Sequence, residues 1–256
     1  MSETSVLSLH RHPVKGLSPE PLDQVRLTRG EYFPGDRLYA IENGPSGFDP
    51  AAPVFLPKIK FLMLMKQGAL AALQTRYEDA MRVLKISREG ALLLRADLGR
   101  EEGRAAVASF MAEFCKGQLR GPPRVLEAPP GFRFTDSLRS GFVSILSKAT
   151  VGEIEKMIGK AIDPMRFRAN ILVEGTDPFE ENEWVGQTLE CGPLRLGVNK
   201  RIERCNATNV RPGTGERDLD LLRAMLKAYG HIDCGVYASV ISSGPLKVGD
   251  TLRLAQ

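Results

Sequence analysis

The stretch LRLGVNKRIERCNATNVRPGTGER, residues 194–217, opens as an alternating strand and ends in a sharp turn, with one cysteine, Cys205, set where the two meet. Leu194, Leu196 and Val198 repeat at a period of two, the spacing of a half-buried strand. The PGTG run at 212–215 is turn chemistry and bends the chain back. Around the cysteine stand Arg201, Arg204, Arg211 and Arg217 against Glu203 and Glu216 only. Cations close to a thiol favour its thiolate, the form that attacks electrophiles and binds soft metals. A strand leading into a basic, glycine-punctuated turn also offers free backbone N–H groups, so the stretch suits an anion held against a sulfur.

The rest of the chain bounds what that sulfur can do. Its 256 residues, 43% hydrophobic and 26% charged, suffice for one large or two moderate domains with proper cores. A net charge of +4, a single Trp and no long basic block argue against nucleic acid as a partner and fit a small anion. No apolar run reaches the roughly 20 residues of a membrane span, and the start, MSETSVLSLHRHPVKG, lacks a secretory apolar segment. A cytoplasmic protein with no membrane partner is expected. Cys115, Cys191, Cys205 and Cys234 are widely spaced and form no CxxC pair, so neither a disulfide framework nor a four-cysteine zinc site is indicated.

Working outward, VLSLHRHPV, PLDQVRLT and DRLYAIEN read as short strands broken by Gly30, Pro34, Gly35 and Gly44. FLMLM at 61–65 extends the β-rich region, and RVLKISR with ALLLRAD forms a hairpin across Glu89-Gly90. REEGRAAVASFMAEFCKGQ carries a helical stripe at Ala106, Val107, Phe110, Met111 and Phe114, with Cys115 near its end. The Pro- and Gly-rich GPPRVLEAPPGFRFTDS marks a boundary near residue 120. Beyond it, a helix is expected from about Thr150, strands at ANILVEG, TLECG and LRLGV, a helix over LDLLRAMLKAYG ended by Gly230, and closing strands CGVYASVIS and TLRLAQ joined across SSGPLKVGD.

A hydrolytic cysteine needs a base, and His10, His12 and His231 lie in no cysteine-hydrolase signature. His10 and His12 read as partly exposed strand residues, and His231 as a cap to its helix. DPFEENEW, 177–184, reads as a solvated acidic loop, and no HExxH or EF-hand pattern is present. Lys15 after a proline, Arg166 and Arg168 ahead of a strand, Arg37 and Arg204 are far apart in sequence, yet could converge on one phosphate.

Taken in order, HPVKG, GDRLYAIEN, FRANILVEG, EWVGQTLECGPLRL, RCNATNVRPGTGE and CGVYASVISSGPLKVGDTLRL resemble the MOSC-domain family with its N-terminal β-barrel partner, over nearly the whole chain. The resemblance implies an α+β, mainly β fold: an N-terminal β-rich domain at 1–120 and a MOSC β-barrel domain with flanking helices at 121–256. It further implies a molybdenum cofactor (molybdopterin), with Cys205 as thiolate ligand of the metal and the catalytic sulfur. Lys15, Arg37, Arg168, Asn170, Arg204 and Tyr237 match residues around the pterin and its phosphate. Thr135, Asp136 and Ser137 fall where a polar segment also contacts the cofactor, and Thr208 is placed behind the metal ligand. The sequence departs from the pattern at Gly16, where relatives carry serine, at Glu203, where a small polar residue is usual, and at Arg211, which replaces an acid.

Function follows from the same resemblance. It implies a reductase of N-hydroxylated or N-oxygenated small molecules, drawing electrons from separate proteins of ferredoxin, flavin reductase or cytochrome type. The alternative is a cofactor carrier, or a sulfur relay through a Cys205 persulfide, with no reductase activity of its own.

Overall fold

The computed structural model describes residues 3–136 and 143–255. In the first half, strands run as β1 (Thr4–Arg11), β2 (Glu20–Leu22), β3 (Gln24–Leu27), β4 (Tyr39–Ile41), β5 (Gln74–Glu78), β6 (Val83–Arg88) and β7 (Ala91–Asp97). Helix α1 (Glu101–Phe114) and β8 (Val125–Glu127) follow. The second half holds β9 (Val143–Ser147), α2 (Lys148–Ile158), β10 (Ile171–Glu174), β11 (Thr188–Cys191), β12 (Leu194–Glu203), α3 (Leu221–Tyr229), β13 (Asp233–Ser242), β14 (Gly244–Lys247) and β15 (Thr251–Leu254).

Seven strands close on themselves in the order β1-β10-β9-β13-β12-β11-β15, with β15 returning to β1 and β2 attached to β1 as an outrigger. Alternation drives the closure: Leu194, Leu196 and Val198 of β12 point inward, with Val236, Ala238 and Val240 of β13 and Ile145 of β9, and the barrel is filled by these chains and Trp184. Every pairing is antiparallel but β9–β10, and a parallel pair needs a crossover, which α2 supplies. Helices α2 and α3 pack a second apolar layer against the outer wall through Val151, Ile154, Leu221 and Met225.

The three-stranded sheet β5-β6-β7 packs on Val107 and Met111 of α1, around a separate core that includes Leu62, Leu70 and Leu73. The two halves interlock, because β1 is a stave of the barrel and β3 pairs with β14.

Several local expectations change. FLMLM is not a strand: only Phe61 makes an isolated bridge, to Glu42, and Met63 to Gln67 turn instead, with Phe61, Leu62 and Met63 buried between elements. The connection SSGPLKVGD contains β14, recruited by β3. Helix α2 begins two residues before Thr150, because the Ser147 side chain accepts from the Ala149 N–H and caps it. DPFEENEW is only partly solvated: Asp177, Pro178 and Glu183 are exposed, but Glu181, Asn182 and Trp184 are buried in a 3-10 turn, where Glu181 accepts from the Thr150 hydroxyl at 2.7 Å and the Ser147 N–H at 3.3 Å.

Candidate functional site

One cleft of about 190 Å³ lies at the barrel mouth, where β12 runs out into the cysteine turn and where residues 15–16, 36–37 and 63–65 of the first half lean over it. Lys15, Arg37, Thr135, Asp136, Arg168, Asn170, Arg204, Cys205, Thr208 and Tyr237 all line it. Ser137 lies outside the described residues.

The cations come from the far segments. Arg37 and Arg168 both sit in the left-handed region, at φ 50° and 54°, a conformation that costs a non-glycine residue energy and collects at functional sites. Arg37 pairs with Asp36, whose Oδ1 also accepts the His12 N–H at 2.6 Å. Burial would raise the Asp36 carboxyl, but Arg37 and His12 hold it well below the ordinary range. Burial lowers the Lys15 ammonium, opposed by Asp136, to which it donates at 2.5 Å; a second bond from its Nζ reaches the Phe134 carbonyl at 3.0 Å. Burial would likewise raise Asp136, and Lys15, Lys58 and Arg37 keep it low.

Arg168 is the exposed nerve of this cluster. Its Nη1 donates to the Leu17 carbonyl at 2.7 Å, while Nη2 is buried with no partner among the described residues. Burial, then repulsion from Arg37, pulls its guanidinium down to about 9. A buried donor without an acceptor is costly, and an anionic oxygen in the cleft would satisfy it.

The arginines beside Cys205 in sequence behave differently from the expectation. Arg201 bonds the Asn182 carbonyl and Glu183. Arg211 is tied to Asp218 at 3.0 Å and to Glu216, half exposed and away from the cleft lining. Arg217 reaches the Leu64 and Met65 carbonyls at 2.9 and 2.8 Å. Arg204 lines the cleft but spends its N–H groups on the Phe167 carbonyl, at 2.8 Å, and the Cys234 carbonyl, with its guanidinium 5.3 Å from the Phe167 ring. It passes Gly235, where φ is 80° and a Cβ would lie 2.9 Å from its Nη2 and 2.6 Å from the Ile145 oxygen. Arg204 is thus a clamp between segments as well as a cation of the wall.

Two further residues are engaged with the frame. The Asn170 side chain accepts from the Ser144 N–H and hydroxyl and donates to the His10 carbonyl, holding β9 to β1. The Thr208 hydroxyl donates to the Cys205 carbonyl at 3.0 Å, fixing the turn behind the sulfur, and its own carbonyl accepts from Arg166. Gly16, with φ 83°, would place a Cβ 2.8 Å from the Leu62 oxygen, which accounts for the missing serine.

Among the four free cysteines only Cys205 lines the cleft, half-buried. Burial pushes Cys234 up to about 12 and Cys115 up to about 11, which leaves them inert. Among the described residues, no group of three or more His, Cys, Asp or Glu side chains is placed to hold a metal ion. The lining fits a phosphate-bearing metal cofactor: one soft sulfur, one buried and two half-buried cations, and a guanidinium nitrogen unpaired among the described residues.

Sequence reasoning missed Asp36, buried His12 and Arg217. The GDR run after a Pro-Gly turn was the available signal for Asp36. His12 is fully buried, not partly exposed, with its Nδ1 3.3 Å from Asp36. Burial, with Arg168 and Arg37 nearby, lowers it to about 3. His231 caps no helix: it stacks on Tyr229 and accepts the Asp233 N–H.

Comparison with known proteins agrees with this geometry. The MOSC domain model matches residues 139–253, and the MOSC N-terminal beta barrel domain model matches residues 3–118. The human protein "Mitochondrial amidoxime-reducing component 1" is 25% identical over 98% of this chain and 82% of its own length. "Mitochondrial amidoxime reducing component 2" of Bos taurus is 33% identical over 42% of this chain and 35% of its own. "Molybdenum cofactor sulfurase" of Anopheles gambiae is 34% identical over 29% of this chain and 10% of its own. With a closed barrel, a sulfur at its mouth and both domain models matched end to end, the chain belongs to the MOSC-domain family, in the form that carries a MOSC N-terminal β-barrel domain.

Proposed function

We propose that this chain is a molybdenum-cofactor-dependent oxidoreductase that reduces N-hydroxylated and related N-oxygenated small molecules. The observation that carries the reading is the meeting of Cys205 with buried Lys15 and half-buried Arg37 and Arg168 in one cleft, where the Arg168 Nη2 lacks an acceptor among the described residues. When bound, the cofactor supplies two-electron removal of the substrate oxygen: an amidoxime takes two electrons and two protons and leaves as an amidine and water.

The protein's own part is positioning and charge. Lys15, Arg37 and Arg168 would hold the cofactor phosphate, with Asp36 paired to the Arg37 guanidinium. The Cys205 sulfur would be a soft ligand to the metal, with Thr208 bracing the turn behind it. Tyr237, Thr135 and Asp136 line the remaining walls. Electrons come from separate donor proteins, and the chain acts in the cytoplasm without nucleic acid or membrane partners.

The test is isolation from a host that makes the cofactor, measurement of molybdenum and pterin per chain, and addition of a chemical reductant with benzamidoxime. Bound metal and benzamidine formation support the reading. Bound metal without substrate loss points to the cofactor carrier or sulfur relay. Absence of both metal and pterin overturns both. The Cys205→Ser protein is expected to fold and to lose turnover, since the serine oxygen is a harder donor.

A further inference from the structure

A groove of about 350 Å³, larger than the cleft, lies in the seam between the two halves. Leu17, Pro19, Leu64 and Leu73 reach it from the first half, and Met165 and Val210 from the second. Its walls are tied across the seam: the Gly213 N–H donates to the Ala71 carbonyl at 2.8 Å, and Arg217 bonds the Leu64 and Met65 carbonyls. Gly215 lies so close to the opposite wall that a Cβ on it would sit 2.8 Å from the Ala69 Cα. The groove is thus built into the fold, at an interface between domains, where small-molecule pockets commonly lie.

Most of its polar side chains are engaged with the protein. Ser18 and Thr75 share a hydroxyl bond at 2.9 Å, and Arg166 holds both Asp218 oxygens, at 2.7 and 2.8 Å, and the Thr208 carbonyl at 3.3 Å. Asp163 accepts the Met165 N–H at 2.8 Å, and both Asp163 and Gln74 are exposed. Two guanidinium nitrogens have no partner among the described residues, Arg166 Nε and Arg168 Nη2, and both belong to residues that also line the cleft. Apolar surface is what the groove offers. Met165 is half-buried in it and packs into none of the four apolar clusters of the described residues. A thioether side chain of this kind adapts to the shape of a ligand.

The groove adjoins the cleft, because Gly16, Leu64, Arg166, Arg168 and Ala207 line both. Ala207 follows Cys205 by two residues, so their backbones are at most about 7 Å apart. A cofactor held at Lys15, Arg37 and Arg168 would occupy the cleft, which leaves the adjoining groove for the organic part of a substrate.

We propose that this groove is the apolar subsite of the substrate: it receives an aryl or branched alkyl group attached to the N-oxygenated unit that is reduced at the cleft, with Met165 as a specificity-determining residue. This deepens the reductase reading and rests on it for the identity of the reacting group. A ring that enters the groove leaves water and gains contact with Leu64 and Met165, whereas a methyl group in its place leaves most of that surface wet. Aromatic amidoximes are therefore preferred over acetamidoxime, although both carry the same N–O unit and the same charge.

Two measurements on the protein as isolated from a cofactor-making host test this, with Met165→Ala as the variant and Met165→Leu as the conservative control. Calorimetric binding of benzamidoxime, with no reductant present, is expected to weaken about fivefold in Met165→Ala and to be restored in Met165→Leu, which keeps the apolar volume. With reductant, the parent is expected to favour benzamidoxime over acetamidoxime in kcat/KM, and the ratio of the two to fall about fivefold in Met165→Ala. Unchanged benzamidoxime affinity, an unchanged ratio, or no preference between the two amidoximes in the parent overturns the subsite. If the parent reduces neither amidoxime but binds benzamidoxime in a Met165-dependent way, the reductase reading fails and the groove stands as a binding site.

Discussion

Arg217 and Leu64 are 153 residues apart in sequence, yet the Arg217 guanidinium donates to the Leu64 carbonyl at 2.9 Å. The same nitrogen also reaches the Met65 carbonyl, and Nη1 reaches the Asn206 carbonyl, next to Cys205. One side chain thus holds the cysteine turn against the segment that forms the opposite wall. Replacing Arg217 by Ala should cost about 1–2 kcal/mol. It should also weaken cofactor retention more than a surface arginine change such as Arg88→Ala. Denaturant melts alongside pterin content per chain would show both effects.

Arg168→Met offers the opposite signature. It removes a half-buried cation whose buried Nη2 is unpaired among the described residues, so the folded state is expected to change by less than about 1 kcal/mol in either direction. Molybdenum and pterin per chain should nonetheless fall roughly tenfold, as a charge-assisted phosphate contact is lost. A stable variant with full cofactor content would remove Arg168 from the phosphate site.

Gly235→Ala should be destabilising by about 2–4 kcal/mol, since φ is positive there and the added carbon meets the Ile145 oxygen at 2.6 Å. The lost stability should come with displacement of Arg204, which runs past the same spot. A thermal midpoint equal to that of the parent would contradict the packing described.

His12 sets an acid limit. Its folded value lies near 3, lowered by burial and by Arg168 and Arg37, while the unfolded imidazole titrates near the ordinary 6.5. Between these two, the unfolded chain binds the extra proton, so stability is fully present above 6.5 and declines as pH falls toward 3. The slope is about 1.4 kcal/mol per pH unit for one proton. The His12 ring resonances, identified by comparison with His12→Asn, should stay fixed from pH 8 to 5 in the native protein; movement in that interval would refute the burial argument.

Much of this architecture was readable before the structure. Period-two alternation located β12 and β13, the apolar stripe located α1, and the ordered motifs brought Lys15, Arg37, Arg168 and Cys205 to one cleft. What misled was proximity along the chain. Arg201, Arg211 and Arg217 neighbour Cys205 in sequence, but each bonds a carbonyl or carboxylate elsewhere, because side-chain direction is set by bulges and distant partners. Glu181 and His12 were read as wet for the same reason: their polar partners, Thr150 and Asp36, lie 31 and 24 positions away.

The stave supplied by β1 carries a consequence for biosynthesis. The β1 stave is synthesised well before β15 and must wait for it before the ring can join, so hydrogen bonding of Thr4 and Ser5 to Thr251 and Leu252 is a late event. Links of such long sequence separation slow a chain's search for its native form. Until then the facing margins of β1 and β15 remain open to stray strands.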